Sequence, residues 1–130
     1  MRRRNLNNVI EFVGRLLLGH IFLLAGINKI GDAYARTAGY MDSMGVPGAL
    51  LPLVIATEIA GGLMIILGFK IKWTAFALAG FTLLAGIIFH SNFADQMQSI
   101  LFMKNLAISG GLLLLVNHGA GELSLDKKMA

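Results

Sequence analysis

Apolar residues fall into four long stretches, about 9–30, 50–69, 73–90 and 100–116, separated by short polar segments. A helix needs about 20 mainly apolar residues to cross a hydrocarbon core of about 30 Å, and each stretch comes near that length. The apolarity is continuous, not alternating, and Leu, Ile, Ala and Gly dominate, so the pattern predicts helices over strands. Helices of a soluble bundle keep a polar face, and these largely lack one. The expected fold class is therefore an all-α membrane protein, a four-transmembrane-helix bundle forming one domain over residues 1–130. Between the first two stretches, Tyr34, Thr37 or Ala38, Met41 and Met44 recur at helical spacing until Gly45-Val46-Pro47-Gly48 breaks it. That segment predicts a short interfacial helix folded over the outer mouth of the bundle.

The basic residues set an orientation. Arg2, Arg3, Arg4, Lys70, Lys72, Lys127 and Lys128 lie on one side of the predicted spans, against Arg36 alone on the other. Short loops rich in Lys and Arg stay inside, so both termini are expected in the cytoplasm and the two acidic loops in the periplasm of a bacterial host. Trp73 beside Lys72 fits an anchor at the inner interface. Arg2–Arg4 and the run Leu16–Ala25 have the order of a signal peptide, but Glu11 and Arg15 interrupt it and no small-x-small cleavage site follows. A retained first helix is expected.

Composition narrows the chemistry. Of 130 residues 56% are hydrophobic and 14% charged, where a soluble domain has about half and about a quarter. The net charge of +4 is not gathered on a face that nucleic acid would use. Cysteine is absent, which excludes disulfides, thiolate catalysis and Cys-ligated metals within this chain. No nucleophile–base pair, phosphate loop or metal-ligand spacing occurs. Catalytic residues are therefore unknown, no metal is expected, and the chain reads as something other than an enzyme acting by itself.

What remains is a set of polar residues inside the apolar stretches. Each charge there costs about 2.5–3.5 kcal/mol on insertion scales and persists only facing protein or water. Arg15, Gly19, Phe22, Gly26 and Lys29 line one face of the first helix. Glu58, followed by Gly61 and Gly62, falls near the midplane, about 12 Å from the outer end of its helix. Lys29, His90, Lys104 and Asn105 fall near the outer ends of theirs. Two features are expected: a deep Glu58 paired with Arg15 or reaching toward Lys104, and an outer rim of Lys29, His90, Lys104 and Asn105. Together these six residues form the candidate ligand pocket or buried polar network.

Plainer readings stand beside this one. Lys29 and Lys104 are able to snorkel to the headgroups, and an Arg15–Glu58 pair is able to fix register without binding anything. His20, His90 and His118 lie at central, outer and inner depth, which does not suit bis-histidine haem. An outward-opening polar pocket suits an anionic or quinone-like ligand, or a proton-coupled step. No cofactor is dictated; quinone is the compatible one. The expected partners are the lipid bilayer, a membrane redox protein and a second copy of the chain.

Five motifs lie along the chain: Arg15 with Ala25-Gly26-Ile27-Asn28-Lys29, the run Tyr40–Gly48, Glu58-Ile59-Ala60-Gly61-Gly62 with Gly68, Phe89-His90-Ser91-Asn92-Phe93, and Met103-Lys104-Asn105-Leu106. With these motifs the chain resembles the DoxX family of four-helix bacterial inner-membrane proteins, in particular its YqjF-like branch. The resemblance extends from about Val9 to Leu125. It implies a multi-pass plasma-membrane protein, in a family some of whose members are tied to thiosulfate oxidation with quinone or to complexes handling thiol and oxidative stress. On that footing the chain is expected to be an accessory or ligand-binding component of a membrane redox or stress system. The alternatives are a small proton-coupled carrier or channel, and a purely structural membrane subunit.

Overall fold

The computed structural model describes residues 2–130. Its helices are α1 (Arg2–Asn28), α2 (Ala33–Ser43), α3 (Leu51–Leu67), α4 (Ile71–Phe89), α5 (Gln96–His118) and α6 (Leu125–Met129), with a single 3-10 turn at Gly48–Leu50 leading into α3. Four of them, α1, α3 with its leading turn, α4 and α5, are long and apolar enough to cross a membrane. The chain passes up and down four times, so both termini and the α3–α4 turn share one end (the terminal end), and α2 lies at the other (the α2 end).

The apolar stretches mark the centres of these helices better than their limits. α1 begins seven residues before Val9, because Arg3, Arg4, Asn5 and Asn7 continue the helix with exposed side chains. α5 begins at Gln96, four residues before the apolar stretch, because the Asp95 side chain caps it by accepting from the Met97 amide at 2.9 Å. This shifts Lys104 from near the helix end to about 12 Å from its first residue.

Packing falls into two tight antiparallel pairs, α1 with α3 and α4 with α5, joined mainly through α3 and α4. The first pair depends on glycine. A Cβ on Gly19 would lie 2.7 Å from the Gly62 carbonyl oxygen, and one on Gly62 would lie 2.7 Å from the Leu23 nitrogen. Small residues let membrane helices approach closely where no hydrophobic effect drives them together. In the second pair the contact is polar: Asn105 Nδ2 donates to Thr82 O at 3.1 Å and Ser109 Oγ to Ala79 O at 3.3 Å. Phe22, Ile65, Ile71, Ala75, Leu78, Ala79 and Leu112 form the core between the pairs. Large apolar side chains such as Leu17, Leu53, Phe76 and Leu114 are exposed, as helices facing lipid require.

α2 forms where its apolar spacing predicts it. Met41 is its buried residue, and Gly45 at φ +85° ends it, with Val46 N donating to Met41 O at 2.9 Å. Its side chains tie it to both pairs. Asp42 Oδ1 accepts from Gly48 N at 2.6 Å, and the Tyr40 ring packs on Phe89 with centroids 5.6 Å apart.

Candidate functional site

Antiparallel register decides which charges meet. Gly19 packs against Gly62 and Ile66, and Gly26 against Ile55, Glu58 and Ile59. Arg15, one turn below Gly19, is therefore level with the last turn of α3, while Glu58 is level with the last turns of α1. The expected Arg15–Glu58 pair does not form, because seven residues of α3, about 10 Å, separate Glu58 from the carbonyls that Arg15 reaches.

Arg15 is 1% exposed, yet no carboxylate among the described residues forms an ion pair with it. Its Nη1 donates to Ile66 O at 3.0 Å and to Ile65 O at 3.5 Å, and its Nη2 donates to Leu123 O. The last carbonyls of a helix have no partner within it, and a guanidinium satisfies two at once while complementing the helix dipole. Gly68 makes room: it caps α3 at φ +69°, and a Cβ there would collide with the guanidinium and with Ser124. Only glycine suits both the conformation and the space.

The chain tail completes this end. Asp126 N donates to Gly68 O at 2.9 Å, while the Asp126 carboxylate accepts from Lys70 N at 2.6 Å and Ile71 N at 2.9 Å, capping α4. Lys70 takes the left-handed conformation at φ +46°, uncommon for a residue with a Cβ, and the Asp126 cap holds it there. Sequence reading missed this latch. The one signal was Ser124, whose hydroxyl accepts from Lys127 N at 3.2 Å and starts α6.

At the α2 end Glu58 is buried and paired with Lys29, Nζ to Oε1 at 2.8 Å. Lys29 follows the last residue of α1, but its side chain folds back along the helix, where Nζ also donates to Ala25 O at 3.3 Å. It does not snorkel outward. The Lys29 side chain keeps 26% exposure against 9% for Glu58, so the pair is open on the lysine side.

The expected outer rim is dispersed. His90 ends α4 and its Nδ1 lies 3.1 Å from Gln98 Oε1. Asn105 is spent on the α4 backbone. Lys104 is exposed on α5 and has no hydrogen-bond or ion-pair partner among the described residues. Of the six candidates, only Lys29 and Glu58 are brought into contact with each other.

Among the described residues, open cavities lie near both ends of the bundle. One of about 420 Å³ is lined at the terminal end by Arg3, Arg4, Asn7, Asn8, Glu11, Gly121 and Glu122. The other, of about 290 Å³, lies at the α2 end between α2 and the α4–α5 loop, lined by Tyr40, Met44, Phe89, Ser91, Asn92, Asp95 and Gln98. Neither includes Lys29 or Glu58. No group of three or more His, Cys, Asp or Glu suited to a metal ion occurs among the described residues.

The chain matches the DoxX family over residues 10–91, more than half its length. It is 51% identical over 124 residues to inner membrane protein YqjF of Escherichia coli K12, covering 95% of each chain. It is 32% identical over 127 residues to inner membrane protein YphA of the same organism, covering 92% of this chain and 90% of the relative. A more partial likeness, 34% over 79 residues, links 57% of this chain to 26% of the ER-derived vesicles protein ERV29 of Saccharomyces cerevisiae. No solved structure matches. With four helices fit to cross the bilayer and inner-membrane relatives along nearly its whole length, the chain belongs to the DoxX family and is a multi-pass protein of the inner membrane.

Proposed function

We propose that this protein is an accessory component of a membrane redox or stress system, binding a quinone-like or small anionic ligand at the Lys29–Glu58 pair. The observation that carries this reading is the inward fold of Lys29. A lysine at a helix end gains solvation by reaching outward, and this one instead meets a carboxylate within the bundle at 2.8 Å while staying partly accessible. Intramembrane ionisable residues of this kind mark binding sites and proton paths by default. A partly accessible ammonium beside a buried carboxylate offers a hydrogen-bond donor to a quinone carbonyl or an attraction to an anion. With no cysteine in the chain, electrons would pass through the ligand or a partner protein, not through a thiol.

In this reading Arg15 and Asn105 hold the bundle together, and His90 with Gln98 lies on the approach from the α2 end. Both termini face the cytoplasm, on the strength of seven basic residues against one, and α2 lies at the periplasmic interface. A carrier or channel would need water access from both ends. Arg15, Ile65 and Ala120 are all buried toward the terminal end, which favours a binding role over a water path.

Native mass spectra of protein extracted in mild detergent test this directly. Retained quinone that disappears in Glu58→Gln is the expected result; ligand-free wild-type protein, or retention unchanged by the substitution, refutes the reading. The orientation is checked by fusing a reporter active only in the periplasm to Ala130, which is expected to stay silent.

A further inference from the structure

Lys104 is the charge that the bundle leaves without a partner. It stands on α5 about 12 Å beyond Gln96, exposed and unpaired among the described residues. Its direction follows from Gly111, where a Cβ would lie 3.4 Å from the Leu18 side chain of α1. Seven residues make two helical turns, so Lys104 lies on the same face of α5 as Gly111, about 10 Å nearer the α2 end. The two helices are antiparallel, and seven residues along α1 from Leu18 is Ala25, whose carbonyl accepts from Lys29. Lys104 therefore flanks the α1–α5 seam at the depth of the Lys29–Glu58 pair. α1 and α5 touch only sparingly. Leu18 packs at Gly111 lower in the seam.

The chain supplies no counter-charge at that depth. Of its seven acidic residues, Glu58 is engaged by Lys29; Glu11, Glu122 and Asp126 are at the terminal end; Asp32, Asp42 and Asp95 lie outside the spans at the α2 end. A second copy would bring no free carboxylate to meet Lys104. Lys29, Glu58 and Lys104 together carry one net positive charge, which one monoanion balances. Counted from Ile100, where the apolar stretch begins, Lys104 lies four residues, about 6 Å, inside it, within reach of the carboxylate of a single-chain amphiphile whose tail follows the seam.

We infer that the α1–α5 seam is a lateral binding site for a single-chain amphiphile with a monoanionic carboxylate head, held by Lys104 and entering from the bilayer. This rests on the proposed ligand site only for its end point, since a molecule in the seam arrives beside Lys29–Glu58.

Palmitate carrying a diazirine, photolysed with the full chain in phosphatidylcholine nanodiscs, tests it. Label is expected on the α1 segment 21–28 and the α5 segment 104–112. Lys104→Gln should lower it about five-fold, the worth of one lysine–anion contact at a membrane, and Lys104→Arg should keep it. Label on the exposed α4 residues Phe76 and Leu84 should be the same in all three, as expected of variants that keep the fold. Equal seam labelling in Lys104→Gln, or label spread evenly over all helices, overturns the site. Displacement by phosphatidylglycerol overturns the carboxylate in favour of a phospholipid head. Loss of quinone retention as a finding, with palmitate labelling intact, removes the proposed ligand but not the lateral site.

Discussion

The two ends of the α1–α3 pair each bury a charge, and they resolve it in opposite ways. At the terminal end Arg15 is surrounded by neutral carbonyls from α3 and the tail, and its Nε alone lacks a partner. At the α2 end Glu58 meets a side-chain counter-ion, Lys29, on the partly exposed side of the pair. A cage of backbone oxygens cannot be exchanged for a ligand without unravelling a helix end. An ion pair with one accessible member can be opened by swinging a lysine. The contrast separates a structural charge from a proposed site, although sequence gives both the same standing as ionisable residues among apolar ones.

The largest effect should come from the closed end. Arg15→Leu removes three bonds from a charged donor, each worth about 1.5–3 kcal/mol in general, and orphans the α3 carbonyls. A loss of about 3 kcal/mol or more in unfolding titrations is expected, with only part recovered in Arg15→Lys, because an ammonium cannot fork to two elements at once. Should Arg15→Leu fold normally but lose ligand, the contrast between the ends would be reversed.

Next comes the latch beneath it. Asp126→Ala uncovers two amides at the start of α4 and should cost about 1–2 kcal/mol, the usual worth of a helix cap. Faster hydrogen exchange at Lys70 and Ile71 would locate the damage. Exchange unchanged at both would mean that the tail does not cap α4.

Glu58→Gln should cost less, about 1 kcal/mol, since Lys29 is free to move outward once released, and should act on ligand retention instead. A destabilisation as large as that of Arg15→Leu would make the α2 end structural too. The smallest change belongs to Asn105→Ala, about 0.6 kcal/mol for a bond between membrane helices, read as a small shift in thermal unfolding with ligand retention unchanged.

Much of this architecture is legible in the chain. Apolar length gives four crossing helices, and the 34–44 spacing followed by Gly45 gives α2. Where helix limits were misread, polar caps were the reason: Asp95 starts α5 in a segment whose hydropathy is low, and Arg3 to Asn7 extend α1 where apolarity has ended. The six candidate residues were legible as polar residues in costly places, but their partners were not. Depth along single helices leaves Glu58 open to Arg15 or to Lys104, and its partner is Lys29. Backbone carbonyls, which every residue has, leave no mark in a sequence, and Arg15 and Asn105 are both satisfied by them.

The sequence by itself determined that the chain is a four-helix DoxX-family membrane protein and that its intramembrane charges need compensation, because hydrocarbon length and the cost of buried charge act on local composition. Only the tertiary structure decided which charge is answered by what. The Gly19–Gly62 contact sets the register of α1 on α3, and that register puts Lys29 on Glu58 and gives Arg15 to a helix end and the tail. Pairing depends on relative displacement along two helices, a distance that neither sequence segment contains alone.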